Sequence, residues 1–227
     1  MEQPSLAKTI ELVDRAFKDY RDKDVKWTSL TDSDMLFRNL CIEIMNGVAK
    51  EYQHLKIGAQ KAPQFAAWAA RNLLELRIIA RFVVKSKENA YRFINDMYPD
   101  GIELFEAVVR IQERVKTQEG IEVDSTPARQ TLSNLQAEKL KRGLTHTDGH
   151  LEMLELAKHV GLRGEYVDVN KICSKLVHRT AFSVLVFESK DELAYIGPLM
   201  FHFGVQYGLD AWGTLGEHIE KHGMNPA

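Results

Sequence analysis

Residues 66–84, AAWAARNLLELRIIARFVV, constrain this chain more than any other stretch. The run is long, its first half holds Ala and Leu, and its charges do not alternate strictly. All three features favour a helix over a strand. Pro63 fits the first turn, where a missing N–H costs nothing. Arg71, Glu75, Arg77 and Arg81 interrupt any apolar run of membrane-spanning length. The stretch therefore reads as the central helix of a water-exposed bundle, with charges at fixed points. Arg71 and Glu75 are four apart and share a face, with Trp68, Ile78, Ile79 and Phe82 on or near it. Arg77 and Arg81 form a second track. A buried Arg71–Glu75 pair must be matched, because an unmatched charge costs several kcal/mol. Half-buried, the same pair is an ordinary intrahelical salt bridge.

The flanking sequence predicts an all-α bundle of about seven to nine helices. Leu6, Ile10, Val13 and Phe17 give a first apolar stripe. Thr31 or Ser33 can cap a second helix that Gly58 ends. Pro99-Asp100-Gly101 predicts a break between helical segments, and Asp124 or Ser125 can cap the polar helix beginning at Pro127. Asp168 can cap a helix from Val169 to about Phe187, and residues 193–210 form the last long apolar helix. An amphipathic tail follows from Trp212 to His222. The sequence VLVF at 184–187 has strand-like composition inside helical surroundings. One domain over 1–227 is expected, with a possible subdivision into 1–118 and 126–227 at a polar boundary, 119–125.

At 227 residues and 44% hydrophobic, the chain can bury a sizeable core. Thirty basic and 32 acidic residues give a net charge of −2, which argues against nucleic-acid binding through bulk charge. Lys139, Lys141, Arg142 and Arg179 could still supply a local basic patch. Cys41 and Cys173 sit in apolar helical patterns, as buried thiols of a reducing compartment do. The N-terminal residues lack the apolar core of a signal peptide, so the expected location is cytoplasmic, without membrane insertion.

Several residues could carry chemistry. His178, in KICSKLVHRTAFSVLVF, shares a face with Ser174 and Phe182 and could act as general acid or base. His202 lies one turn from Gln206. Glu51 and His54 form a Glu-x-x-His pair, but helical di-metal sites use two such pairs and the chain has one. His146/His150 and His218/His222 have His-x-x-x-His spacing, the first pair in a turn-like setting and the second near the chain end. No phosphate loop, nucleophile elbow or clustered cysteine motif is present. No cofactor and no metal are expected.

Two motifs carry a resemblance. ARNLLEL, with Arg71, Asn72 and Glu75, and YVDVNKICSKLVHRT, with Ser174 and His178, resemble segments of uncharacterised all-helical prokaryotic proteins. The resemblance spans about 37–209. It implies a cytoplasmic bundle in which Arg71, Glu75 and His178 meet between helices, and it implies no known reaction. More distantly the chain is similar to HEPN-type bundles, some of which are ribonucleases of toxin or phage-defence systems. Their active helix carries an arginine, a polar residue and then a histidine. Here Arg71-Asn72 has no following histidine in its helix, and His178 precedes Arg179 instead of following an arginine.

Three functions follow as expectations. The first is a binding or regulatory module in stress or phage defence, self-associating, with RNA or protein as partner. Its sites would be His178, Arg71 and Glu75 as the reactive group, and Asn72, Ser174, Arg179, His202 and Gln206 as binding residues. The alternatives are a metal-independent ribonuclease using His178 with Arg71 or Arg179, and a metalloenzyme using Glu75, His178 and His202, or Glu51 and His54.

Overall fold

The computed structural model describes residues 8, 10–11, 14–15, 32–144, 151–177 and 195–221. Among them the fold is all-α, with seven helices and no strand. In chain order these are α1 (Asp32–Lys61), α2 (Pro63–Val83), α3 (Lys87–Glu119), α4 (Thr126–Lys141), α5 (Met153–His159), α6 (Arg163–Val177) and α7 (Ile196–Lys221). The described residues 8, 10–11 and 14–15 are also helical. No helix among the described residues is long and apolar enough to cross a membrane.

The chain divides into two compact units, one of Met1–Lys87 with Met153–Ala227 and one of Glu88–Glu152. In the first unit, α2 packs most extensively on α7 and α1, and also meets α5 and α6. The reason is its side chains. Ala66, Ala67, Ala69, Ala70, Leu73, Leu74, Ile78, Ala80, Phe82 and Val83 are all buried. Small residues in the first turns let neighbouring helices come close, and larger ones fill the space further on. The turn into α2 is the single residue Ala62, at φ −155° and ψ 97°. Pro63 follows as the first helical residue, and the residue before a proline is pushed to extended backbone. Gly58 does not end α1. The helix continues to Lys61, and Gly58 lies against the start of α2.

Three further local expectations differ from the structure. Pro99 lies inside α3, which runs unbroken from Lys87 to Glu119. A proline removes one backbone hydrogen bond, and here packing on both sides of it outweighs that loss. Tyr98 and Val109 are buried, and Leu135 of α4 covers Gly101. Asp168 lies within α6, which starts five residues earlier, at Arg163. The long apolar helix and the amphipathic tail form one helix, α7, with Pro198 in its first turn. VLVF at 184–187 lies outside the described residues.

The second unit is built on α3 and α4. The Glu113–Arg129 ion pair joins the two helices, and the Arg142 guanidinium lies 5.2 Å from the Tyr98 ring centre. The Asp96 carboxylate accepts from the Leu151 amide at 3.0 Å. Segment 120–125 connects α3 to α4 within this unit. Asp124, not Ser125, supplies the side-chain cap of α4, accepting from the Thr126 amide at 2.9 Å. That bond holds the Asp124 carboxyl below its ordinary range.

Two glycines of the first unit test how tightly its helices approach. A Cβ on Gly58 would lie 2.3 Å from the Ala66 backbone nitrogen, whereas one on Gly204 would lie 2.6 Å from Leu55 Cδ2. Alanine is favoured over glycine in a helix by up to about 1 kcal/mol, and overpacking costs about 1–3 kcal/mol. Backbone cannot swing aside, but a leucine rotamer can. In urea unfolding, Gly58→Ala should therefore lose about 2 kcal/mol and Gly204→Ala clearly less. Equal losses would mean that the α1–α2 corner is not rigid.

Candidate functional site

The polar side chains of α2 leave the helix in three directions. The first is towards α6. Arg71 Nε donates to Glu75 Oε1 at 2.9 Å, and both groups are half-buried. Tyr166 of α6 lies beside the pair. Burial pulls the Arg71 guanidinium down, but the Glu75 carboxylate and Tyr166 outweigh it and leave the group above its ordinary range. The Tyr166 hydroxyl is also raised, by burial first and then by Glu75. Cys173 is fully buried near the same pair, and burial pushes its thiol up to about 11.

The second direction is towards α7. Arg77 Nε reaches Asp210 Oδ2 at 2.6 Å, while Arg77 Nη1 reaches Glu165 Oε2 of α6 at 2.8 Å. Arg81 grips the same Asp210 with two bonds, Nε to Oδ2 at 2.9 Å and Nη2 to Oδ1 at 2.8 Å. The Arg77 guanidinium also lies 5.4 Å from the Tyr207 ring centre. Burial alone would raise the Asp210 carboxyl, but Arg81 and Arg77 overcome it and hold the group below its ordinary range. The Tyr207 hydroxyl is raised, by burial and then by Glu165. Asp210, shared by two guanidinium groups, ties α2 to α7, and Glu165 on Arg77 adds α6 to the same polar layer.

The third direction is towards α1. Asn72 Nδ2 donates to Glu51 Oε2 at 3.2 Å, and the same oxygen lies 3.2 Å from His54 Nδ1. Phe65 and Trp68 stack on each other at 5.5 Å, and the His54 ring tilts against both at 5.6 Å. Glu51 and His54 therefore meet as their spacing suggests. Among the described residues, however, no group of three or more His, Cys, Asp or Glu could hold a metal ion.

A shallow pocket of about 360 Å³ opens between α5 and α6. Its apolar wall is Leu154, Tyr166 and Val167, and its polar wall is Asn170, Ser174, Lys171 and Lys175. The Asn170 side-chain oxygen is buried without a hydrogen-bond partner. Such an atom costs about 1–3 kcal/mol until a donor reaches it. Tyr166 links the pocket to α2, since one side lines the cavity and the other lies beside Arg71 and Glu75.

The residues singled out from the sequence are thus distributed. Arg71 and Glu75 meet beside Tyr166, and Ser174 lines the adjoining pocket. Asn72 belongs to the α1 group. His202 and Gln206 form an exposed pair on α7, with side-chain nitrogens 3.0 Å apart. His178 and Arg179 lie outside the described residues, as do His146, His150 and His222. Sequence reasoning missed Glu165, Asp210, Tyr166, Asn170, Lys171 and Lys175. One signal for Asp210 was readable: it is the only charged residue between Ile196 and Gly216. A lone carboxylate in so apolar a helix needs a cation, and Arg77 and Arg81 were the unassigned track.

No protein-family model, curated protein or solved structure matches the chain.

The Asp210 layer predicts an acid-sensitive core. A carboxyl whose folded pKa lies below the ordinary 3.8 adds stability that is complete above that value and disappears as pH falls through the lower, folded one. Asp210→Asn should cost on the order of 1–2 kcal/mol near neutrality, because two half-buried guanidinium groups lose the negative charge they share and one of its two acceptor oxygens. It should also flatten the fall in melting temperature as pH drops below about 3.8, relative to the native chain. Parallel pH–melting curves for the two proteins would show that this carboxylate is not the acid-sensitive group.

Proposed function

We propose that the chain is a helical binding module whose α5–α6 pocket takes a small ligand bearing an anionic group and an apolar portion. The observation that carries this reading is the pocket's lining. Lys171 and Lys175 stand one turn apart above an apolar wall, with the unpartnered Asn170 oxygen beside them. Two ammonium groups would attract an anion, and Ser174 could donate to it. Leu154 and Val167 would cover the ligand's apolar part. Because Tyr166 lies beside Arg71 and Glu75, occupancy would be felt by the half-buried ion pair of α2. That is the route by which binding could become regulation.

A stress or phage-defence setting, an RNA or protein partner and a cytoplasmic location rest on the sequence alone. The ribonuclease alternative needs His178, which lies outside the described residues. It also competes for Arg71, which is already held by Glu75 at 2.9 Å.

A thermal-shift panel of inorganic phosphate, nucleoside monophosphates and medium-chain carboxylates tests the reading. At least one amphipathic anion should raise the melting temperature. Lys171→Ala/Lys175→Ala should weaken its binding by about tenfold or more, a loss of at least about 1.4 kcal/mol. A panel with no stabilising member, or equal binding by the lysine variant, rejects the pocket as the site.

A further inference from the structure

The second unit leaves an apolar stripe uncovered, with a charge pattern beside it. Along α3, Met97, Leu104 and Ile111 are spaced by seven residues and are 51%, 59% and 58% exposed. Successive members lie about 10 Å apart along the axis and drift only slightly around it. Half-buried Val108 and Val115 lie at the stripe's inner edge. A sustained seven-residue apolar spacing on a helix surface is what a second helix packs against.

The charges say which helix. On the outer flank, Asp100 and Glu103 precede the midpoint at Ala107, and Arg110 and Arg114 follow it. In a parallel pair each flank meets the opposite flank of the second copy, so Asp100 and Glu103 would face Gly101 and Phe105, and Arg110 would face Gln112. An antiparallel copy turned about an axis near Ala107 brings the two charged flanks face to face. Asp100 then meets Arg114 of the second copy, and Glu103 meets its Arg110. The same register puts Leu104 against Ile111 of the second copy and Met97 near its Val115. Inside its own helix Arg110 makes only a long, exposed contact with Glu106, at 3.7 Å, which leaves it able to turn outward.

We propose that the chain forms a homodimer through an antiparallel, two-fold pairing of α3 along Met97, Leu104 and Ile111. The flanking Asp100, Glu103, Arg110 and Arg114 fix its direction. The pairing is independent of the α5–α6 pocket, so either reading can fail alone.

The test uses the full chain. Sedimentation equilibrium of the native protein at micromolar concentration should give a dimer mass. Arg110→Glu/Arg114→Glu makes the flank acidic throughout, and Asp100→Arg/Glu103→Arg makes it basic throughout. Each variant alone should have its dissociation constant raised at least tenfold, while their equimolar mixture should restore the dimer. Restoration also shows that both variants are folded. Cysteines report the direction. Leu104→Cys and Ile111→Cys should form an intermolecular disulfide on oxidation when mixed, and neither should when alone. The native chain, whose two cysteines are both buried, is the control. A monomeric native protein, or dimerisation unchanged in both charge variants, overturns the proposal. So does ready cross-linking of Leu104→Cys to itself, the mark of a parallel pair.

Discussion

A helix that is nearly surrounded cannot leave its charges unanswered. α2 carries four of them, Arg71, Glu75, Arg77 and Arg81, on a rod whose other faces are buried alanine, leucine, isoleucine, valine and phenylalanine. Each charge meets an opposite charge within hydrogen-bond distance, on α2 itself or on α6 or α7. An unanswered charge at such a half-buried position would lose part of its hydration with nothing in return. The arrangement therefore fixes more than energy. Arg77 and Arg81 share one carboxylate on α7, and Arg77 also holds Glu165 on α6. Sliding α7 by one helical turn would break three of these bonds together, and sliding α6 would break the one to Glu165. The apolar faces supply most of the attraction, and the polar layer selects one register among those the apolar faces would tolerate.

The architecture was legible because helix-forming patterns are local. Alanine-rich and leucine-rich periodicity marked α2, and Pro63 marked its start. The errors came where a local signal met a long-range contact. Pro99-Asp100-Gly101 has turn composition, yet the helix passes through it. Tyr98 and Val109 are buried and Leu135 closes over Gly101. Gly58 has the composition of a stop, yet its lack of a side chain serves the approach of α2. In both cases the residue type was read for its backbone preference, while its size or its neighbours decided the outcome.

The site was legible only in part, for a geometric reason. Arg71 and Glu75 could be paired from spacing alone, since both lie on one helix. Glu165 and Asp210 are 88 and 133 residues from Arg77, and no periodicity connects them. The split of Arg71 from Asn72 follows from helical geometry, because adjacent residues point about 100° apart. One faces α6 and the other α1, so a motif contiguous in sequence becomes two separate groups in space. The pocket was hidden for a related reason. Most of its lining is one face of α6, and only the presence of Leu154 from α5 turns that face into a concavity.

The two compact units use charge differently. In the first, guanidinium groups and carboxylates face inward across helices, where lower dielectric strengthens each contact. In the second, the charges beside Met97, Leu104 and Ile111 lie on the surface, where a single pair adds little to folding. Surface charge of that kind is better suited to choosing a partner and its direction than to holding a fold. The acidic-then-basic order of Asp100, Glu103, Arg110 and Arg114 leaves the stability of α3 almost unaffected, yet reversing it in one of two meeting helices would turn attraction into repulsion. In this chain, half-buried charge between helices specifies the fold, and exposed charge can specify what the fold meets.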